Sequence, residues 1–239
     1  MRIFDKFFLK GYQVINLPDL EQLEKKYSKA WKDDSIPSRQ LQLTKKQLPQ
    51  IEKLPAIADL IDMVSQTKLF KPHILEVGCS TGYHIDAFKK AKLNVSYEGC
   101  DYSPAFVELA KRLHPQSRFK LDDATKLTYA TNQFDIIISG CCLLHIFKYQ
   151  KAIMESSRVA NKFVIFHRTP VVHLTKTTYA KKVAYGVEMV EIFFNETELF
   201  QLFAKSHLVI KLVKTHGQFF VKGLPEPVFM KNYLCEKIS

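Results

Sequence analysis

An α/β fold with a mostly parallel sheet is the architecture that this 239-residue sequence predicts, for three reasons. From residue 73 onward, short apolar runs alternate with segments of helical periodicity, a pattern typical of right-handed βαβ units. Residues 134–138 are almost continuously apolar, as expected for a strand that is buried on both faces. Residues 207–215 and 228–235 are apolar runs without a helix between them, so they predict an antiparallel pair at the end of the sheet.

Turn and cap residues place the other elements of this region. Further strands are predicted at residues 73–77, 95–100, 118–121 and 163–166. Ser103 followed by Pro104 predicts the start of a helix, because serine caps helix N-termini and proline fits the first turn. Asn195, with Glu198 three residues later, resembles a capping box and predicts the last helix. Together these elements make residues 71–239 the main domain.

Residues 1–70 predict an N-terminal helical cap or arm. The apolar residues at positions 3, 4, 7 and 8 have helical spacing and predict a helix that packs on the protein's own core. Asp19 and Pro55 mark the starts of two further helices. Residues 32–50 are rich in polar residues and contain Pro37 and Pro49, so we expect a loop or linking arm there.

The composition excludes several classes of protein. An apolar fraction of 46% is ordinary for a globular chain, and no apolar run reaches the roughly 18 residues of a membrane span. The N-terminus does not have the pattern of a signal peptide. Five cysteines, most of them after apolar runs, indicate reduced and buried thiols in a cytoplasmic protein. Cys141 and Cys142 lack a second ligand pair at usable spacing, so no metal site is predicted.

The formal net charge of +11 lies in the flanks, residues 1–72 and 146–239, whereas residues 73–145 are neutral. A basic surface of this kind can bind an anionic partner such as a phosphorylated substrate, nucleic acid or a membrane. No block of like charges occurs, however. We therefore favour a solvated basic surface over one that binds an anionic partner, and nucleic acid is possible but not favoured.

The predicted strand at residues 73–77 runs into the loop Gly78-Cys79-Ser80-Thr81-Gly82, and three hypotheses fit this loop. A dinucleotide fingerprint would need glycine at positions 80 and 83, which are Ser80 and Tyr83. The G-x-S-x-G pattern of a hydrolase nucleophile elbow is matched, but Ser80 follows the first strand of the sheet and no His-Gly-Gly-Gly oxyanion segment is present. The third hypothesis is a loop that binds S-adenosylmethionine (SAM). Asp101, about 20 residues after the loop, fits NAD and SAM sites alike, because it can accept hydrogen bonds from both ribose hydroxyls.

Four segments together resemble the successive motifs of class I SAM-dependent methyltransferases. They are residues 76–84 (EVGCSTGYH), 99–104 (GCDYSP), 121–124 (LDDA) and 134–140 (FDIIISG). The resemblance covers residues 73–167, and the terminal strand pair agrees with it by pattern. It implies a Rossmann-like αβα sandwich around a mostly parallel seven-stranded sheet with an antiparallel terminal strand, plus the N-terminal helical cap. The one departure is Ser80, which stands where glycine is commonest in the family.

The resemblance also implies which residues hold the methionine part of SAM. Glu76 would orient the loop and the methionine amino group, and Tyr83 would flank the methionine end. The backbone cradle would be formed by Gly78, Cys79, Ser80 and Gly82. The floor next to the sulfonium would be lined by Ser139, Gly140 and Cys141.

The nucleoside part of SAM has its own implied partners. Asp101 would bind the ribose, and Tyr102 would pack on the adenine. Asp123 would accept a hydrogen bond from the adenine amino group, and the Ala124 N–H would reach a ring nitrogen.

Methyl transfer is an in-line displacement, so positioning and water exclusion can account for much of the rate.

A general base is needed only if the acceptor must lose a proton. His145, shortly after the fourth parallel strand, is the first candidate, with packing against the cofactor or capping of a helix as its alternative role. His167, at the end of the fifth parallel strand, is the second candidate. Arg168 would clamp an anionic group of the substrate, or else pair with a surface acid such as Glu188.

Two other segments supply substrate candidates. Residues 169–194 lie where methyltransferases insert substrate-binding elements, and Tyr185 is the candidate within them. Tyr27 and Trp31 would close the site from the N-terminal cap, or else pack as ordinary core.

The sequence therefore predicts SAM-dependent methyl transfer to a small-molecule, glycan or lipid-intermediate acceptor, for which Arg168 would suit an anionic group. N-methylating enzymes carry an Asn/Asp-Pro-Pro-aromatic motif after the fourth strand. This chain has Ser-Gly-Cys-Cys at residues 139–142 instead, which favours O- or C-methylation. Two alternatives stay open: a methyltransferase acting on RNA or protein, and a non-catalytic SAM-fold module that binds a partner. A dehydrogenase ranks third.

Overall fold

A computed structural model of the protein describes residues 11–16 and 18–238. The helix predicted from the apolar residues at positions 3, 4, 7 and 8 lies outside this described part. None of the helices within residues 11–16 and 18–238 is long and apolar enough to cross a membrane.

The described residues form strands and α-helices in a mostly alternating order. The strands are β1 (Gln13–Val14), β2 (His73–Val77), β3 (Ser96–Asp101), β4 (Arg118–Leu121), β5 (Phe134–Gly140), β6 (Ala160–Val172), β7 (Thr178–Ala184), β8 (Val187–Asn195), β9 (Leu208–Phe219) and β10 (Val228–Lys237). The α-helices are α1 (Leu20–Tyr27), α2 (Ile36–Gln47), α3 (Pro55–Gln66), α4 (His84–Lys90), α5 (Pro104–Leu113), α6 (Tyr149–Val159) and α7 (Glu196–Lys205). Short 3-10 helices cover Ala30–Lys32, Leu48–Lys53 and Leu143–His145.

Seven of these strands form the predicted sheet, in the order β4-β3-β2-β5-β6-β10-β9. The pairs among β2, β3, β4, β5 and β6 are parallel. β10 runs antiparallel to both of its neighbours, β6 and β9. The mostly parallel seven-stranded sheet with an antiparallel terminal strand is therefore confirmed.

The sheet lies between two layers of helices. Ile137 packs with Ile153 of α6 and Phe203 of α7 in one apolar core. Its strand neighbour Ile136 faces the other way and packs in a second core with Leu60 of α3. Because successive side chains of a strand point to opposite faces, one buried strand supplies both cores. The result is the predicted αβα sandwich.

A second, small sheet was not predicted. β6 continues past the end of β5, and its last residues, Val171 and Val172, pair with β8 instead. The pair of β6 with β8 is parallel, whereas the pairs of β8 with β7 and of β7 with β1 are antiparallel. Tyr185 and Gly186, which join β7 to β8, both have positive φ, as a two-residue hairpin turn requires. This hairpin places β1, β7 and β8 beyond the carboxyl ends of the parallel strands.

The described part of the N-terminal region contains an α-helix, α2, that the sequence does not predict. Asp19 caps α1 by accepting a hydrogen bond from the Gln22 N–H at 3.1 Å, and Pro55 begins α3, as predicted. The expectation of a loop or linking arm at residues 32–50 is wrong, because α2 occupies most of it. Pro37 lies in the first turn of α2 and Pro49 in the first turn of the next 3-10 helix, where proline has no N–H bond to lose.

Candidate active site

A cavity of about 1290 Å³ opens at the carboxyl ends of the parallel strands. Its walls include Gly78 after β2, Asp101 at the end of β3, Gly140 at the end of β5 and Arg168 on β6. Open α/β sheets bind their ligands at this edge. The cavity exceeds the usual upper limit of roughly 1,000 Å³ for one small-molecule site, so it has room for two ligands.

The loop after β2 is held against the end of β3. The N–H groups of Gly78 and Cys79 donate to the Cys100 carbonyl at 2.8 and 3.0 Å. The Ser80 N–H donates to Asp101 Oδ2 at 3.0 Å. Gly78 has a φ of +73°, and a Cβ there would lie 2.4 Å from Cys142 Cβ. A glycine is therefore required for the chain to turn at this position.

Asp101 is a nearly buried carboxylate beside this loop. Its Oδ1 accepts from the Ser103 N–H at 2.9 Å, and its Oδ2 accepts from Ser80. Burial raises the pKa of Asp101 to about 6, although the two amide hydrogen bonds oppose the shift. Each carboxylate oxygen has more than one lone pair, so Asp101 can also accept hydrogen bonds from the hydroxyls of a ligand.

The residues implied for the adenine lie on the same side of the cavity. Tyr102, Asp123 and Ala124 all line it. Asp123 Oδ1 accepts from the N–H and the hydroxyl of Thr125, both at 2.8 Å, which fixes the carboxylate in a local turn. Lys32 places its ammonium 5.1 Å from the centre of the Tyr102 ring.

Glu76 is placed under the floor of the cavity and does not line it. It is 1% exposed, its Oε2 accepts from the Tyr97 hydroxyl at 2.6 Å, and its Oε1 lies 2.9 Å from His84 Nδ1. A Cβ on Gly140 would lie 2.3 Å from Glu76 Oε1, so the carboxylate supports the floor directly from below. Both of its oxygens already have partners within the protein.

Three other residues implied for the cradle and floor are also outside the set that lines the cavity. Cys79 is fully buried and packs behind the loop against Gly99. Gly82 faces Phe119 and His114, and the Ser139 hydroxyl lies 3.4 Å from Cys142 Sγ. Of the residues implied for the methionine part of SAM, those that line the cavity directly are Gly78, Ser80, Tyr83, Gly140 and Cys141.

His145 lines the cavity from the 3-10 helix after β5. Its Nδ1 lies 3.1 Å from the Val190 carbonyl, which can only accept, so Nδ1 carries the proton. In the neutral ring, Nε2 then has a free lone pair. Burial lowers the pKa of His145 below its ordinary value. A neutral imidazole with a fixed tautomer is suited to act as a general base.

His167 does not reach the cavity, so the structure does not support it as an alternative base. It is 2% exposed, and its ring packs 5.0 Å from the ring of His84. Arg168 lies at a bulge in β6 and has a φ of +54°; it lines the cavity, whereas His167 faces the core. The sequence could not distinguish these two orientations.

Arg168 lines the cavity and is not paired with Glu188. Glu188 instead accepts a hydrogen bond from the Tyr27 hydroxyl. The groups that raise the pKa of Arg168 are Cys141, Tyr83 and Tyr185, none of them a carboxylate. The guanidinium keeps its charge at every pH at which the protein is folded, so in the wall of the cavity it can pair with an anionic group of a ligand.

The aromatic substrate candidates divide into two groups. Trp31 and Tyr185 line the cavity, with ring centres 5.7 Å apart, and Trp31 also packs 4.8 Å from His145. Tyr27 does not line it and is buried in the main core. Its apolar ring packs α1 against the core. Tyr27 is therefore a structural residue, and its predicted contact with the substrate is not supported.

The sequence missed the contribution of α2. Arg39, Gln40, Leu43 and Lys46 line the cavity at helical spacing, which is the signal that could have revealed this helix. Gln40 accepts a hydrogen bond from the Ser80 hydroxyl, and Arg39 donates to the Tyr185 carbonyl. The helix α2 therefore joins the loop after β2 to the β7–β8 hairpin across the cavity. Other missed lining residues include Tyr12, Phe106, Lys182, Met189 and Glu191.

Two histidines with lowered pKa values, the buried His167 and the half-buried His216, predict acid sensitivity. Burial lowers the pKa of His167 well below its ordinary value and that of His216 to about 4. The unfolded chain therefore binds more protons than the folded protein once the pH falls below roughly 6.5, and stability decreases. We expect the free energy of unfolding in urea to fall between pH 7 and pH 5, by up to about 1.4 kcal/mol per pH unit for each histidine. His216→Gln should have a shallower slope; equal slopes would contradict this account.

Comparison with known proteins agrees with this geometry. A family described as "Methyltransferase domain" matches residues 74–162. A demethylmenaquinone methyltransferase of Paenarthrobacter aurescens (strain TC1) is 30% identical over 112 residues, which are 45% of this chain and 44% of that protein. The enzyme of the same name from Renibacterium salmoninarum is 31% identical over 86 residues, which are 36% of this chain and 35% of that protein. The chain thus spans less than half the length of the curated relatives it matches.

Solved structures match over nearly the whole chain. A 1,6-didemethyltoxoflavin-N1-methyltransferase of Burkholderia thailandensis, with bound 1,6-didemethyltoxoflavin and S-adenosylhomocysteine, has a TM-score of 0.61 and 13% identity, and the match covers 95% of each chain. A magnesium protoporphyrin IX methyltransferase of Synechocystis PCC 6803 with bound SAM has a TM-score of 0.57 and 12% identity, covering 93% of this chain and 99% of that one. At this identity the similarity is one of fold.

Proposed function

We propose, from the membership of this chain in the class I SAM-dependent methyltransferases, that it transfers the methyl group of SAM to a small-molecule acceptor. The observation that carries the proposal is the single cavity that joins the loop of Gly78 and the carboxylate of Asp101 to a second compartment with His145 and Arg168. A cytoplasmic location, inferred from the cysteine pattern of the sequence, is part of the same proposal.

The residues of the first compartment fit SAM. The backbone at Gly78 and Gly140 leaves no room for a Cβ, so a ligand can approach the main chain closely there. Asp101 has hydrogen-bonding capacity left for ribose hydroxyls. When bound, SAM supplies an electrophilic methyl group on a positively charged sulfur. Residues 78–83 would hold its methionine part, and Tyr102, Asp123 and Ala124 would hold its adenine.

Glu76 has a supporting role in this proposal. Since His84 and Tyr97 occupy its oxygens, it would fix the loop and floor from below. Cys79, Gly82 and Ser139 would act in the same way, as packing behind the cradle. The N-terminal cap, residues 1–70, would close the site over the main domain, residues 71–239, through the contact of Gln40 with Ser80.

The second compartment would hold the acceptor. Trp31, Tyr185 and Met189 give it apolar walls, and the guanidinium of Arg168 gives it a positive charge. These walls suit an acceptor with an apolar body and an anionic group. His145 would take a proton from the acceptor atom, which favours O- or C-methylation. The two curated relatives are named for demethylmenaquinone, which supports a small molecule as the acceptor over RNA or protein.

Titration of the purified protein with S-adenosylhomocysteine by calorimetry tests this function. We expect a Kd on the order of micromolar, which corresponds to about −8 kcal/mol. Folded protein that releases no heat with S-adenosylhomocysteine would contradict the proposal. Binding of NADH, detected by its fluorescence, would instead support the dehydrogenase alternative.

Arg168→Gln is expected to weaken the binding of anionic probes to the protein saturated with S-adenosylhomocysteine. Trp31 is the single tryptophan of the chain and lies in the acceptor compartment, so its fluorescence reports occupancy. Charge-assisted hydrogen bonds are each worth about 1.5–3 kcal/mol, so 4-hydroxybenzoate should bind roughly 10- to 100-fold more weakly to the variant. The neutral 4-hydroxybenzamide should bind both proteins alike.

The matched control is Lys211→Gln, which removes a cation that pairs with Glu236 on the surface strands β9 and β10. It should leave the affinity for 4-hydroxybenzoate unchanged. Equal losses in the Lys211 and Arg168 variants would indicate a general charge effect and contradict a specific anion contact.

A further inference from the structure

Glu191 places a buried carboxylate in the wall of the acceptor compartment. It lies on β8, is 6% exposed and lines the cavity. Its Oε1 lies 2.5 Å from the Lys182 ammonium on β7, and its Oε2 accepts from the Tyr12 hydroxyl at 2.5 Å. The third neighbour is His145, whose Nε2 lies 3.9 Å from Glu191 Oε1.

The contact between Glu191 and His145 is unfavourable while the imidazole of His145 is neutral. Because Nδ1 carries the proton, Nε2 and the Glu191 carboxylate are both acceptors and cannot form a hydrogen bond with each other. Once Nε2 binds a proton, the same geometry brings an imidazolium next to a carboxylate. An interaction that becomes favourable only as charge develops lowers the barrier of the step.

Glu191 is a poor base in its own right. Burial raises its pKa, but His145, Lys182 and Tyr12 together hold the pKa below its ordinary value. Tyr12 remains a donor, because burial and Glu191 raise the pKa of its hydroxyl. The carboxylate is therefore ionised and held by two donors, Lys182 on β7 and Tyr12 just before β1.

We propose that Glu191 is a positioning residue that stabilises His145 after His145 has taken a proton from the acceptor. In this step the acceptor's proton moves to Nε2, and the electron pair of the broken bond stays on the acceptor atom. That atom forms the new bond to the methyl carbon as the carbon–sulfur bond breaks. The electron pair of the carbon–sulfur bond stays on sulfur, which becomes a neutral thioether. The proposal rests on the proposed function, because it needs an acceptor that loses a proton.

Lys182 and Glu191 have opposite effects on His145. The charged groups that face the imidazole are these two, and burial acts in addition. Burial and Lys182 lower the pKa of His145, whereas Glu191 and the Val190 carbonyl raise it. Lys182 and Tyr12 thus limit the effect of Glu191, which keeps His145 neutral and ready to accept a proton.

The titration of His145 measured by NMR tests the proposal without knowledge of the acceptor. The protein is labelled with ¹³C-histidine, and the His145 signal is assigned by its absence in His145→Gln. We expect Glu191→Gln to lower the pKa of His145 by about one unit and Lys182→Met to raise it by a similar amount. Glu188→Gln is the matched control on the same strand. It should leave the titration unchanged, because Glu188 bonds to Tyr27 instead.

Shifts of opposite sign are the result that a merely structural role for Glu191 would not produce. Two shifts in the same direction, or no shift in either variant, would overturn the proposal. If the pKa of His145 in the parent protein is too low to be measured before the protein unfolds in acid, the comparison is made in the Lys182→Met background. That substitution should raise the pKa of His145 into the measurable range. If Glu191→Gln does not fold, Tyr12→Phe takes its place and should raise the pKa of His145.

Calorimetry with S-adenosylhomocysteine on the same samples separates this inference from the proposed function. Absence of binding in the parent protein would remove the proposed function, whatever the histidine titration shows. Normal binding together with an unmoved His145 titration would overturn the role of Glu191 alone.

Discussion

Asp101→Ala is expected to weaken the binding of S-adenosylhomocysteine by at least about 100-fold, because hydrogen bonds to a charged group contribute about 1.5–3 kcal/mol each. Two ribose hydroxyls would lose their acceptor. The Ser80 N–H would also lose its bond to Oδ2, which holds the loop after β2 against the end of β3. Calorimetry at pH 7.5 measures the change.

Asp135→Ala is the control for this prediction. Asp135 also bonds to a backbone N–H, that of His73 at 2.9 Å, but it lies near the start of β5, at the opposite edge of the sheet. The control should therefore lose some stability and keep its affinity. Affinity lost to the same degree in both variants would indicate general unfolding and not a ribose contact.

The pH dependence of binding gives an independent check on Asp101. Its pKa of about 6 means that the carboxylate is protonated as the pH falls below that value. A protonated carboxyl accepts hydrogen bonds less well, so affinity should be constant above pH 7 and decline below pH 6, by up to about tenfold per pH unit. Asp101→Asn should show no such decline. A parent protein with a flat profile from pH 7.5 to 5 would contradict this role.

The sheet and the loop of Gly78 were predictable because their signals are local. A strand, a loop of small residues and a helix follow each other in the chain, and Asp101 ends the next strand. The helix α2 was missed because Pro37 and Pro49 were interpreted as helix breakers, whereas each lies in a first turn. Residues that line the cavity do have helical spacing in α2, but the polar composition of residues 32–50 favoured the prediction of a loop.

The acceptor compartment was less predictable for a different reason. Residues 189–194 of β8 are all buried, so the strand lacks the alternation of polar and apolar residues that identifies a half-buried strand. The bond between Tyr12 and Glu191 joins residues 179 positions apart. Contacts of this kind depend on the position at which β8 begins to pair with β6. No short stretch of sequence specifies that position.

Gly78→Ala is expected to have the largest effect on stability. The φ of +73° costs an alanine about 1–2 kcal/mol, and a Cβ would lie 2.4 Å from Cys142 Cβ and 2.8 Å from its Sγ. Cys142 cannot easily move away, because its Sγ donates to the Val77 carbonyl at 3.2 Å. Overpacking of this kind adds about 1–3 kcal/mol, so the loss in a urea titration should be about 2–5 kcal/mol.

Gly217→Ala provides the matched comparison, since its Cβ would meet nothing within 4 Å. Gly217 lies inside β9, where alanine costs less conformational entropy than glycine, so stability should be unchanged or higher by up to about 1 kcal/mol. A Gly78 variant as stable as the Gly217 variant would contradict the steric account.

The double variant Gly78→Ala/Cys142→Gly separates the two causes. Removing the Cys142 side chain removes the atoms that a new Cβ would overlap, but it leaves the backbone of residue 78 in its left-handed conformation. The stability that the double variant recovers, relative to Cys142→Gly alone, measures the steric part. The part that remains, about 1–2 kcal/mol, is the conformational cost. If nothing is recovered, the left-handed turn and not the contact with Cys142 requires glycine at this position.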